Sequence, residues 1–227
     1  MSSIQEFEPI ASAICEAYEA AAYKPARPTE KDGRPVTGPV PLEQMLAAKG
    51  VARIEVPQLT RASAAAELQT WGLDRPDLLN DPTPLAGLLF VTAGGGCVLV
   101  RQDDPLPRRR FSAAHELGHF LLHYRPEWLG EDEPDVMADD EPHLVIEGAL
   151  DRGDGGDAAL TEREREANRF AAELLMPAEV CRGLYEFYAH RFGDTPRFIE
   201  GHIAGDLLVS RQAIRYRLKD LRLTEAV

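Results

Sequence analysis

The segment RRFSAAHELGHFLLH, residues 109–123, sets His115, His119 and His123 at four-residue intervals inside an apolar run. Phe111, Ala113, Ala114, Leu117, Phe120, Leu121 and Leu122 surround the polar residues, so the spacing predicts a helix buried on most of its sides. That is a strong restriction on the fold. Imidazoles taken out of water require partners, and the rest of the chain must provide them.

His115, Glu116 and His119 form an HExxH pattern. On a helix the two histidines stand about 40° apart around the axis and one turn along it, so both rings reach a single ion. Zn²⁺ suits such a pair: it accepts imidazole and carboxylate ligands, tolerates an open position and acidifies a bound water, which Glu116 is placed to deprotonate. The competing reading is a solvated polar row on an amphipathic helix, and the apolar neighbours count against it. His123, about 80° round from His115, is poorly placed as a third ligand beside His119. A supporting hydrogen bond suits it better.

Two ligands do not hold zinc, so a third must come from elsewhere. In the pattern HExxHxxGxxH it would be a histidine at 125 with glycine at 122, but this chain has Arg125 and Leu122. The downstream run TEREREANRFAAELLMP offers Glu162, Glu164 and Glu166 instead. At about 100° per residue, Leu160, Ala167, Ala171, Leu174 and Leu175 make one apolar stripe, and Glu164 falls within about 20° of its centre. Glu162 and Glu166 fall on the outer face, as ordinary solvated charges. A carboxylate in an apolar stripe is costly unless paired or metal-bound. The expected centre is therefore His115, His119 and Glu164 around Zn²⁺, with Glu116 as general base and Asn168, one turn beyond Glu164, as partner of a ligand. Tyr124, His123, Tyr185 and His190 are the candidates for stabilising an oxyanion.

Elsewhere, LAGLLFVT and CVLVRQ, separated by AGGG, read as a β-hairpin leading into the histidine helix, and a strand is expected at 52–56. Helices are expected over 4–23, 42–49, 61–73, 178–192, 196–206 and 210–221, and over the LTEREREANRFAAELLMP run with Thr161 as N-cap and Pro177 as stop. The class is α+β. A bound peptide could lie extended along an edge strand of the hairpin.

The net charge is −13, but residues 130–158 hold eleven acids against Arg152 alone, a local −10. The body of the protein is nearly neutral, and the acidic stretch reads as a long loop. No apolar run approaches a membrane span. The N-terminal stretch carries Glu6 and Glu8 where a secretory signal would be basic, and Cys15, Cys97 and Cys181 form no CxxC pair. A cytoplasmic protein without membrane contact is expected. The expected division is 1–41, a helix and Pro-rich linker; 42–177, the catalytic domain with the acidic loop 130–158; and 178–227, a helical region.

RRFSAAHELGHFLLH followed by EREANRFAAELLMP, with GLLFVTAGGGCVLV just upstream, resembles the ImmA/IrrE family of zinc metallo-endopeptidases over about residues 85–221. The first 40 residues and the acidic loop fall outside the likeness. The resemblance implies a zincin-like fold, His115, His119 and Glu164 as zinc ligands, and Glu116 as catalytic base. It also implies a substrate class, helix-turn-helix transcriptional repressors cleaved to relieve repression in stress or mobile-element control.

IAGDLLVSRQAIRYRLKDL, residues 203–221, itself looks like a helix-turn-helix, with Arg211, Arg215, Arg217, Lys219 and Arg222 on the basic side of its last helix. One reading is a DNA-binding regulator with a structural metal site. The other is a packing unit, favoured because specific DNA binding leans on a net basic footprint that this chain lacks.

Overall fold

A computed structural model describes residues 8–25, 38–72, 82–92, 95–124, 135–140, 158–193 and 195–224. Helix α1 (Glu8–Ala20) is followed by α2 (Leu42–Ala48), β1 (Val51–Val56) and α3 (Arg61–Thr70). Strands β2 (Leu85–Thr92) and β3 (Gly95–Arg101) precede α4 (Leu106–Leu122), which carries the histidines. Then come β4 (Asp135–Asp140), α5 (Ala158–Leu175), α6 (Ala178–Phe192), α7 (Pro196–Leu207) and α8 (Arg211–Asp220). The α+β class is observed.

The four strands form one sheet in the order β1-β3-β2-β4. β2 and β3 are the expected antiparallel hairpin, with Leu89 opposite Val98, while β1 runs parallel to β3. The hairpin strands read as continuous apolar runs because both faces of the sheet are covered. Leu89, Val91, Val98 and Val100 face the main core, whereas Leu88, Phe90, Cys97 and Leu99 face a smaller one closed by Leu59, Ala64 and Leu68. This alternation puts Gly87 on the same face as Leu89, towards α4.

Three expectations need correction. The 130–158 stretch is not loop throughout, for β4 lies in it and pairs antiparallel with β2, Asp139 opposite Gly87. Half of that strand is aspartate, a residue depleted in strands, so its composition conceals it. Because β4 and β1 flank the hairpin, neither hairpin strand is an edge among the described residues, and a substrate peptide cannot add to one while β4 is paired there. Thr161 does not cap α5, which begins at Ala158: alanine, alanine and leucine ahead of the threonine favour helix and extend it backwards.

Helix α4 lies at the centre of the main core. It packs on β2 and β3, on α1, on α2 and most extensively on α5. Residues 112–119 are buried without a break, which explains an apolar setting around polar residues. α1 contributes Ile10, Ala13, Ile14 and Ala17 to the same core, and the Tyr18 hydroxyl donates to the Leu174 carbonyl of α5 at 2.9 Å. Among the described residues no helix is long and apolar enough to cross a membrane.

Helices α7 and α8 meet at a short turn with Leu208 in the left-handed region, φ 53°, and Ser210 capping the Ala213 amide. Ile203, Ala204, Ala213, Ile214 and Leu218 are buried, as their spacing predicts. Two of the basic residues are engaged within the molecule. Arg215 forms an ion pair with Glu200 at 3.2 Å, and the buried Arg217 donates from Nε to the Met176 carbonyl at 3.0 Å.

Candidate metal centre

The i, i+4 spacing on α4 brings the His115 and His119 rings together edge to face, centroids 4.6 Å apart, with their Nε2 atoms separated by 3.0 Å. Glu164 reaches both from α5: its Oε2 is 3.2 Å from His115 Nε2 and its Oε1 is 3.2 Å from His119 Nε2. The three residues offer ligand atoms within 4.8 Å of one another, a grouping that could hold a metal ion. The histidines are 0% and 2% exposed, but the Glu164 side chain is 44% exposed, so the cluster opens towards solvent on the α5 side.

The hydrogen bonds behind the rings decide which nitrogens are bare. His115 Nδ1 donates to Asn168 Oδ1 at 3.0 Å, since an amide oxygen only accepts. His123 Nε2 donates to the Glu166 carboxylate at 2.9 Å, leaving Nδ1 of a neutral His123 to accept from His119 Nδ1, also at 2.9 Å. His115 and His119 thereby both turn an unprotonated Nε2 towards Glu164. Two lone pairs and a carboxylate converging on one point repel one another, and a single divalent cation satisfies all three. The donor set fits a zinc-type site, two imidazoles and one carboxylate with their outer nitrogens held.

The electrostatics agree with neutral His119 and His123 rings. Burial pushes the His119 and His123 pKa values below the ordinary imidazole value, with Glu164 and Glu166 respectively opposing that shift.

Glu116 follows His115 on α4 and is 1% exposed. Its carboxylate lies against the backbone of β2 at Gly87, so closely that a Cβ there would be 2.5 Å from Oε1. The missing side chain at position 87 is thus the space the carboxylate occupies. Tyr124 stacks on Phe120, ring centroids 5.3 Å apart. Glu162 pairs with Arg165 on the exposed face of α5, as expected. Glu166 departs from expectation: it is half-exposed, but it anchors His123 rather than serving only as a surface charge. A helical wheel of α5 could not show this, because the partner ring belongs to the residue capping α4.

An HExxH helix beneath a small mixed sheet, with a carboxylate supplied by a later helix, makes a three-residue cluster that could hold a metal ion. The sequence matches the peptidase M78 family, described as the IrrE N-terminal-like domain, over residues 79–141 and 143–219, more than half of the chain, and the protein belongs to that family. The match runs through the acidic stretch, which the resemblance seen in the sequence left out, and breaks only at residue 142. No curated protein matches the chain.

Proposed function

We propose that this protein is a zinc-dependent endopeptidase in which His115, His119 and Glu164 hold the ion. Bound zinc supplies Lewis acidity towards the scissile carbonyl and lowers the pKa of water. Glu116 accepts a proton from the attacking water and delivers it to the leaving nitrogen, so that the water oxygen joins the carbonyl carbon as the C–N bond breaks. Asn168 orients His115, and the His123–Glu166 pair orients His119. The observation that carries this reading is the convergence of three ligand atoms beside a buried Glu116, in a chain of a peptidase family.

The substrate class we propose is a helix-turn-helix transcriptional repressor, cleaved in stress or mobile-element control, on the strength of the family resemblance. The setting proposed is the cytoplasm, in keeping with three unpaired cysteines. Direct DNA contact forms no part of the proposal, because Arg215 and Arg217 of α8 are committed to contacts within the molecule.

The test is to incubate wild type and Glu116→Gln, each with its zinc content measured, with a repressor encoded beside the gene. Cleavage by wild type and its loss in a zinc-bound Glu116→Gln variant are expected. Equal cleavage by both, or none by zinc-bound wild type, overturns the reading.

A further inference from the structure

Gly118 sits between the motif's glutamate and its second histidine, in the interior of α4, where glycine costs about 1 kcal/mol relative to alanine. The packing around it shows what that cost secures. A Cβ at 118 would lie 2.9 Å from Phe170 Cδ1, 3.2 Å from Ala167 Cα and 3.3 Å from the Ala167 carbonyl oxygen. Two of these three atoms are backbone, which no rotamer change can move. The third belongs to a fully buried phenylalanine in a closed core. α4 and α5 therefore touch nearly backbone to backbone at this point.

The contact lies within the metal cluster's framework. Gly118 is bonded to His119, while Ala167 is bonded to Asn168 and lies three residues from Glu164. We infer that Gly118 is a positioning residue: its missing side chain sets the separation of α4 and α5 at which Glu164 spans both imidazoles and Asn168 reaches His115. A methyl group at 118 pushes α5 outward by several tenths of an ångström, more than the tolerance of about 0.2 Å within which metal–ligand distances are held. This inference rests on the metal-centre reading, but its test needs no peptide substrate.

The experiment is a zinc titration of the full chain in competition with a chromogenic chelator, for wild type, Gly118→Ala, Phe170→Leu and Gly118→Ala/Phe170→Leu. Leu68→Ala, in the smaller core beyond the sheet, serves as a destabilised control. Gly118→Ala is expected to bind zinc roughly 10- to 100-fold more weakly, the range usual for losing a ligand's support, while Leu68→Ala binds as wild type does. Gly118→Ala binding as tightly as wild type overturns the inference. If Gly118→Ala does not fold, the double variant is read against Phe170→Leu. The two backbone contacts remain in it, so weaker binding supports the inference and equal binding overturns it. Wild type failing to bind zinc overturns the metal-centre reading itself, a different result from either.

Discussion

Glu164 and Glu166 stand two residues apart on α5 and serve different histidines. On the proposed metal centre, removing the first takes away a ligand, whereas removing the second frees a ring that steadies one. Metal analysis of purified variants is expected to show zinc lost from Glu164→Ala, retained by Glu162→Ala, and bound roughly 10- to 100-fold more weakly by Glu166→Ala. Full retention by Glu164→Ala would contradict the assignment. Glu164 was legible in the sequence because a lone acid in the apolar stripe of a helix needs a reason to be there. Glu166 was not. A wheel reports the direction a residue takes from its own helix, and His123 approaches from the end of another one.

At the scale of elements, β2 and α4 fit together through Gly87, which gives the Glu116 carboxylate its place. Gly87→Ala is expected to keep zinc at wild-type affinity and to lower proteolysis by about two orders of magnitude, since displacing a catalytic group by about 1 Å has that effect. Zinc content and turnover measured on the same preparation check it, and unchanged turnover would contradict it. The hairpin and the histidine helix could be read directly, the first from two short β-rich apolar runs separated by AGGG and the second from polar residues at helical spacing inside an apolar segment. β4 could not, because its strand character comes from pairing with β2 rather than from its own aspartate-rich residues. The close approaches at Gly87 and Gly118 were equally hidden, since a glycine's neighbours across a fold leave no mark on the residues beside it.

For the whole molecule, α1, α2 and α4 through α8 all contribute to the main core, so burial rather than position in the chain decides what is protected. Cys181 is buried in that core and Cys97 in the smaller one, and burial pushes their thiols up to about 11 and about 12 from an ordinary 9.0. A raised folded-state pKa gives stability that is complete below about pH 9 and is lost as pH rises towards the folded value. Denaturant unfolding is therefore expected to show falling stability from pH 9 to 11, with part of the fall removed by Cys181→Ala. In native protein at pH 8 the exposed Cys15 should react with a thiol reagent well before the other two. Equal reactivity of all three would mean that the core is open.

The most direct test of the central claim is a crystal structure of the zinc-loaded protein with anomalous data collected on either side of the zinc edge. The account predicts one strong peak about 2.0–2.2 Å from His115 Nε2, His119 Nε2 and a Glu164 carboxylate oxygen. A peak bound by other residues, or none in protein that carries zinc by elemental analysis, would contradict it.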